Sequence, residues 1–264
     1  IIASVDEYRA SALHLSVGNP PMLRVQGKLV AMPDAPIVAP SFLESVIPSW
    51  VDDVVSERLK RERHATFAFT FPNGKRFKIS LFYQQGNVSA SLNLLPDRVP
   101  NMQELRLPVA AQQFAQVDSG FVLICGPFGS GRTTTMASFV EERNMTRQQH
   151  IVTIEDPTEF IFQDKQCVIE QREVGRDVAA IAEALHFTLD EDVDVVAVAS
   201  LESRDEFRAA LDVAIAGKVL YGSMNASTIG VALSMMTHSF EENEQERIRA
   251  ELANALVGFM NQRL

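Results

Sequence analysis

The sequence predicts an α/β protein of two units: a small antiparallel sheet with helices, then a mainly parallel sheet covered by helices. In the first hundred residues, apolar and polar residues alternate, which is typical of strands with one buried face. After a proline-rich stretch, the pattern changes to short, nearly continuous apolar runs separated by helical segments. Such runs indicate parallel strands that are buried on both faces.

The first unit is predicted to hold short strands and one or two helices. Two alternating runs flank a turn signal at residues 18–21. Residues 41–64 have helical spacing, and Pro48 is expected to split that helix. Residues 65–96 alternate strongly around Asn73-Gly74, which predicts a hairpin with a type I′ turn.

Three prolines, Pro96, Pro100 and Pro108, predict the boundary between the units, since they interrupt any regular element. We therefore expect an N-terminal domain over 1–97, a linker over 98–108 and a second domain over 109–264. A chain of 264 residues with 46 % apolar residues is long enough for two domains with sizeable cores.

The second domain predicts strands and helices in alternation. The expected strands are the runs GFVLICG, HIVTIED, VDVVAVAS and VLYGSMNAS, and the expected helices lie at 133–143, 177–190 and 204–216. The last 25 residues have apolar residues at helical intervals, which predicts a helical C-terminal end. Because this pattern stops abruptly at Leu264, we expect the native C-terminus to lie beyond it.

Composition excludes several classes of function. The net charge of −10 argues against a nucleic-acid-binding surface that covers the chain. Cys125 and Cys167 lie in apolar runs, which suggests reduced thiols in a cytosolic protein, with a single disulfide as the alternative. No run reaches the ~18 to 20 apolar residues that span a bilayer, and the first residues lack a signal peptide. We expect a soluble protein that reaches a membrane only through a partner.

The segment CGPFGSGRTTTM, residues 125–136, departs at one position from the phosphate-binding loop G-x-x-x-x-G-K-[ST]. Glycines allow backbone N–H groups to cradle phosphate oxygens, and the following helix N-terminus favours an anion. Thr133 can offer its hydroxyl to Mg²⁺. The alternative is a glycine-rich turn without a ligand. The candidate nucleotide-binding residues are Gly126, Gly129, Ser130, Gly131, Arg132, Thr133 and Thr134.

Arg132 stands where the pattern has lysine. A lysine ammonium is a compact point charge, whereas guanidinium is planar and prefers a fork on two accessible oxygens. Phosphate binding can survive this change more easily than correct placement of charge on a transferred phosphoryl group.

Four segments, GFVLICGPFGSGRTTT, HIVTIEDPTEF, CVIEQREVGRD and LYGSMNAS, occur in the order found in PilT/PilU-type retraction ATPases of type IV pili. The chain resembles this branch of the secretion ATPase superfamily over nearly its whole length, and EERN and QREVGRD look closer to PilU. The resemblance implies a small PAS-like α+β N-domain and a RecA-like P-loop domain. It also implies a cytoplasmic, usually hexameric ring that uses ATP and Mg²⁺ to act on the inner-membrane pilus platform. Two cysteines cannot form the four-cysteine zinc module of the extension and secretion branches, which favours retraction.

The resemblance also assigns roles to single residues. In the acidic box TIEDPTEF it implies that Glu155 and Glu159 help to position Mg²⁺ or water; the alternative is a solvated turn at Asp156-Pro157. In CVIEQREVGRD it implies structural and subunit-contact roles, with a solvated loop as the alternative, for Gln171, Arg172, Glu173, Arg176 and Asp177.

Several catalytic positions are altered relative to this family. Ser200 stands where the family has the Walker B glutamate, and Asn225 where it has histidine. In an extended strand Glu202 would lie about 6.6 Å from Ser200, so we do not expect it to replace that glutamate. Lys78 and Asn93 stand where the N-domain has arginines that reach the neighbouring protomer's nucleotide, and we expect Arg76 and Arg98 to be solvated surface residues.

We therefore interpret the chain as a pseudo-ATPase that binds ATP or ADP weakly or not at all and serves as a ring or regulatory subunit. One alternative is an active but atypical retraction ATPase in which Arg132 and Glu155 suffice. Another is a structural adaptor that has lost nucleotide binding. The expected partners are copies of itself or an active PilT-like ATPase, and the pilus platform protein, through which it would lie at the inner membrane.

Overall fold

The computed structural model describes residues 1–263 and divides into two compact units, Ile1–Asp97 and Arg98–Leu264. The first contains an antiparallel sheet and the second a parallel sheet, which confirms the predicted fold class. Residues 98–108 contain no helix or strand among the described residues. No helix in the described part of the chain is both long and apolar enough to cross a membrane.

The first unit packs its helices on one face of its sheet. Its strand order within residues 1–97 is β3-β2-β1-β6-β5-β4, and the apolar face buries Leu13, Ile79 and Leu92. The elements are α1 Ile2–Glu7, β1 Ala12–Leu15, β2 Met22–Val25, β3 Lys28–Ala31, α2 Pro40–Val46, α3 Asp53–Glu62, β4 His64–Thr70, β5 Arg76–Gln84 and β6 Asn87–Leu94.

Two local predictions in this unit have different outcomes. Pro48 lies in a 3-10 turn, Ile47–Ser49, that separates α2 from α3, so the predicted split is confirmed. The type I′ turn is wrong, because Gly74 has a positive φ of 81° and Asn73 does not. Gly74 N donates to Phe71 O, so the β-turn consists of residues 71–74, with Pro72 as its second residue. The fixed φ of proline suits that position in turns of type I or II.

The second unit alternates strands with helices as predicted, except that an additional strand, Val168–Glu173, follows His150–Glu155 without a helix between them. Its elements are α4 Val109–Gln112, β7 Gly120–Gly126, α5 Arg132–Thr146, β8 His150–Glu155, β9 Val168–Glu173, α6 Ile181–Asp190, β10 Val195–Val198, α7 Arg204–Ile215, β11 Val219–Asn225, α8 Ile229–His238, α9 Glu242–Ala255 and β12 Leu256–Asn261. The sheet order in the described residues is β12-β7-β11-β10-β8-β9, and every neighbouring pair is parallel.

The central strands are buried on both faces, which explains their unbroken apolar sequence. All seven residues of β7 and all four of β10 are buried.

A capping box fixes the start of α7, one of the covering helices. The Ser203 side chain accepts from Glu206 N, and the Glu206 side chain accepts from Ser203 N.

The predicted helical C-terminal end is correct only as far as Ala255. Residues 256–261 form β12, which pairs in parallel with β7. A short apolar run fits a buried strand as well as a buried helix, so periodicity alone does not separate the two. Gly258 is required here, since a Cβ at that position would lie 2.8 Å from the Phe114 ring.

Candidate functional site

The predicted site residues converge at the carboxyl edge of the parallel sheet. Asn225 at the end of β11 lies opposite Gly126 at the end of β7. At the end of β10, Val198 lies opposite Ile154, which immediately precedes Glu155 on β8. Ligands of α/β proteins bind at this edge of the sheet, where the loops after the strands meet.

The loop after β7 has the conformation that a phosphate cradle needs. Gly129 and Gly131 have positive φ values of 76° and 83°, and Gly131 is the N-cap of the 15-residue helix α5. A Cβ at Gly126 would lie 2.4 Å from both Ser130 Oγ and Gln262 O. Glycine is therefore required at position 126 because Ser130 and Gln262 approach it closely, and not because its backbone has a positive φ.

Unpaired donors make the loop suitable for an anion. Ser130 is buried, and its Oγ is a buried atom without a hydrogen-bond partner among the described residues. The same holds for Arg132 Nη1 at the start of α5. Thr133 and Thr134 follow in the first helical turn and are half-buried. Buried polar atoms are normally paired, so these two donors fit an oxyanion such as a phosphate group.

The Arg132 side chain is half-buried, and this burial lowers the pKa of its guanidinium, while nearby Cys125 and Glu202 raise it. Arginine keeps its charge at neutral pH in any case. The loop therefore contains a fixed positive charge, as a phosphate site requires, although on a planar group.

The acidic box places one carboxyl group in the interior. Glu155 is 3 % exposed, and burial raises its pKa to about 7, although hydrogen bonds from Thr153 Oγ1 at 2.8 Å and Glu159 N at 3.4 Å oppose that rise. Glu155 and Thr133 line the same cavity of about 10 Å³, which is at the lower limit of the space that one water molecule needs. The other two carboxylates are more accessible: Asp156 is exposed and Glu159 half-buried.

The QREVGRD segment holds the loop that follows Glu155, which agrees with the structural role that the resemblance implied for it. Gln171 Oε1 accepts from Phe162 N at 2.9 Å, and its Nε2 donates to Phe160 O at 2.7 Å. Glu173 Oε2 accepts from Thr158 N at 2.9 Å. The alternative of a solvated loop is wrong for residues 171–173, since they lie in β9.

The remaining charged residues of that segment form hydrogen bonds and ion pairs of their own. Arg172 bridges the carboxylates of Glu170 and Glu191. Asp177 Oδ2 accepts from Glu173 N at 2.8 Å, and Arg176 is exposed and contacts Glu173. These contacts are structural, and the subunit-contact role of the segment stays a prediction.

Ser200 and Glu202 are joined by a hydrogen bond that the sequence did not reveal: Ser200 Oγ donates to Glu202 Oε1 at 3.0 Å. These residues lie outside the strand, because β10 ends at Val198 and the chain continues to the capping box of α7. That Glu202 does not replace the Walker B glutamate stays a prediction. Glu202 is exposed, and its backbone N donates to Glu206.

The other altered positions, and the two arginines near them, lie at strand ends, on neighbouring strands or at the surface. Asn225 is exposed at the end of β11. In the first unit Lys78 lies directly opposite Asn93 on neighbouring strands, so the two positions at which the resemblance implies arginine are adjacent. Arg98 is exposed and forms an ion pair with Glu104, whereas Arg76 is half-buried and donates to Thr70 Oγ1.

Within residues 1–263 no three His, Cys, Asp or Glu side chains form a cluster suited to a metal ion. Mg²⁺ at nucleotide sites binds one or two protein groups and takes its other ligands from phosphate oxygens and water, so the Thr133 hydroxyl fits that arrangement. Cys125 and Cys167 are buried free thiols.

A glycine cradle between a buried parallel strand and a helix, with acidic and polar groups at the ends of neighbouring strands, defines a P-loop nucleotide-binding domain. The type II/IV secretion system protein family matches residues 63–264, and this chain belongs to that family.

Similar proteins narrow the comparison to pilus ATPases. The type IV pilus retractation ATPase PilT of Pseudomonas aeruginosa is 31 % identical over 259 residues, covering 97 % of this chain and 74 % of that protein. The type IV pilus ATPase PilU of the same organism is 29 % identical over 262 residues, covering 98 % and 67 %. These two identities do not separate the PilT and PilU branches.

A solved structure shows the same architecture. The crystal structure of the pilus retraction motor PilT with bound ADP superposes with a TM-score of 0.90 at 33 % identity, covering all of this chain and 77 % of that one.

Proposed function

We propose that this chain is a hydrolysis-impaired relative of the pilus retraction ATPases, which binds ATP or ADP weakly and acts as a ring or regulatory subunit in type IV pilus retraction and twitching motility. It would assemble in a hexameric ring, with copies of itself or with an active PilT-like ATPase. From the cytoplasmic side it would contact the inner-membrane pilus platform protein, and it would not bind nucleic acid. Its similarity to PilT and PilU over nearly the whole chain supports this role.

The carboxyl end of β10 carries this proposal. The group that follows this strand is the Ser200 hydroxyl, bonded to the exposed carboxylate of Glu202. A hydroxyl cannot accept a proton from water at neutral pH as a carboxylate does. Asn225 cannot change its protonation state. Losing one group of this kind costs about 10² to 10³ in rate, so hydrolysis is expected to be slow.

Nucleotide binding is less affected than hydrolysis, because the cradle itself is intact. The loop glycines, the unpaired Ser130 Oγ and the Arg132 guanidinium would hold phosphate oxygens. Thr133 would hold Mg²⁺, which neutralises phosphate charge when bound. The planar guanidinium is the reason to expect weak binding.

A second candidate is an active, atypical retraction ATPase. The pKa of Glu155, about 7, is close to the value that suits a general base at neutral pH, and its cavity is shared with Thr133. The third candidate, a nucleotide-independent adaptor, predicts no saturable binding of nucleotide.

Restoring the family's residues tests the proposal directly. We would measure phosphate release and Mg-ADP binding by calorimetry for the wild type, for Arg132→Ala, and for the triple variant Arg132→Lys, Ser200→Glu, Asn225→His. The expected result is saturable ADP binding without phosphate release in the wild type, binding lost in Arg132→Ala, and hydrolysis gained in the triple variant.

Other outcomes separate the candidates. Phosphate release by the wild type that disappears in both Arg132→Ala and Glu155→Gln would establish the atypical ATPase. If Glu202→Gln abolished that release and Glu155→Gln did not, Glu202 would be the base. Absence of ADP binding in the wild type would favour the adaptor.

A further inference from the structure

Gln262, just after β12, contacts both ends of the phosphate loop. Its backbone N donates to Cys125 O at 2.8 Å, at the end of β7. Its side-chain Oε1 accepts from Thr135 Oγ1 at 2.9 Å, in the first turn of α5. Its carbonyl oxygen lies 2.4 Å from the position that a Cβ at Gly126 would take.

The neighbouring side chains hold this residue in place. Asn261 Nδ2 donates to Cys125 Sγ at 3.2 Å and to Ser227 O at 3.3 Å. Arg263 Nη2 donates to Ser227 O at 3.1 Å. Because successive side chains of an extended segment point to opposite sides, these contacts direct Gln262 toward Thr135.

The loop needs external support, because its own contacts are few. Residues 127–129 are exposed, and the polar atoms Ser130 Oγ and Arg132 Nη1 have no partner in the described chain. A cradle whose donors are reserved for a ligand cannot use them to fix its own shape. Its geometry therefore depends on how its two ends are held.

We propose that Gln262 is a positioning residue for the phosphate loop: it bonds the end of β7 through its main chain and the start of α5 through its side chain, and so fixes the distance between them. The expected effect on nucleotide affinity rests on the nucleotide binding proposed above. The effect on the loop itself does not.

Hydrogen–deuterium exchange of the ligand-free chain tests the loop itself. The variants are Gln262→Met, which keeps side-chain length but lacks the acceptor, Thr135→Val, and the two combined. Thr188→Val is the matched control, since it removes a buried hydroxyl that donates to Leu185 O on α6. We expect amides 126–136 to exchange about two- to tenfold faster in both single variants, the effect of one lost hydrogen bond. The double variant should exchange no faster than either single variant.

Two results would overturn the inference. Unchanged exchange in Gln262→Met would show that the loop does not depend on this side chain. Equal acceleration in the amides of β8 would show a general structural role with no specific effect on the loop. Multiplied effects in the double variant would show that Gln262 and Thr135 act separately, which also contradicts the proposal.

Calorimetry with Mg-ADP gives the functional readout. Gln262→Met and Thr135→Val should weaken binding by about two- to tenfold, and Thr188→Val should leave it unchanged. Affinity unchanged in Gln262→Met would contradict the inference. If the wild type did not bind Mg-ADP, the proposed function would fail, and the exchange experiment would still decide the role of Gln262.

Discussion

Replacement of Gly126 by alanine should destabilise the second unit through a steric conflict. The added Cβ would lie 2.4 Å from Ser130 Oγ and 2.4 Å from Gln262 O, and 3.2 Å from Ser130 Cβ. The serine hydroxyl can rotate away, but the carbonyl belongs to a main chain bonded to β7. Overpacking of this kind costs about 1 to 3 kcal/mol. We expect Gly126→Ala to lower the free energy of unfolding by that amount.

Gly230→Ala is the matched control, because it makes the same chemical change in α8 with nothing within 4 Å of the new Cβ. It should stabilise the unit by about 0.5 to 1 kcal/mol, since alanine is the better helix former. Urea unfolding followed by circular dichroism would measure both variants. Equal unfolding midpoints for wild type and Gly126→Ala would refute the close approach of the Gln262 main chain to the loop.

Three further predictions concern stability, each measured by urea unfolding. Because folding raises the pKa of Glu155 from its ordinary value near 4.5 to about 7, wild-type stability should be fully present below pH 4.5 and fall as the pH rises to 7. The size of this fall is about 3 kcal/mol, at ~1.4 kcal/mol for each unit of pKa. Glutamine does not ionise, so the stability of Glu155→Gln should lack this fall between pH 4.5 and 7. Identical pH profiles of stability for the wild type and Glu155→Gln would contradict the prediction. Tyr221→Phe removes the hydroxyl that accepts from Arg143 Nε at 2.7 Å and donates to Phe114 O, so both groups lose this partner in the core. The free energy of unfolding should fall by about 1 to 3 kcal/mol. The control Tyr8→Phe, at an exposed tyrosine, should change it very little, and equal losses in the two variants would contradict the prediction. Ser203→Ala should lower the free energy of unfolding by about 0.5 to 2 kcal/mol, because it removes the side chain that caps α7. Ser203→Asp, which can still cap the helix, should be nearly as stable as the wild type, and an equal loss in both variants would contradict the capping role.

The sequence predicted the fold wherever one periodic pattern extended over a whole element. The continuous apolar runs gave the strands of the parallel sheet, and Pro48 correctly separated two helices. It failed at Leu256–Asn261, because this mostly apolar segment is too short for periodicity to choose between helix and strand. There the choice depends on the open edge of β7, which no local pattern reveals.

For the site, the sequence identified residues but not their contacts. It placed Gly126, Glu155 and Asn225 at strand ends, and these ends do meet at one edge of the sheet. It missed the hydrogen bond between Ser200 and Glu202, because spacing along the chain does not fix the rotamers of two side chains. It also missed Gln262, whose contact with Thr135 joins residues 127 positions apart.

The pairing of β12 with β7 also sets a time order during synthesis. β7 leaves the ribosome early, yet Asn261, which contacts Cys125 on it, follows 136 residues later. Until β12 has been made, the edge of β7 that will pair with it is unprotected. The phosphate loop then has β11 beside it but lacks the contact with Gln262. A growing chain therefore acquires both supports of its phosphate loop only after residues 256–262 have been synthesised, when the other strands of the parallel sheet have already emerged.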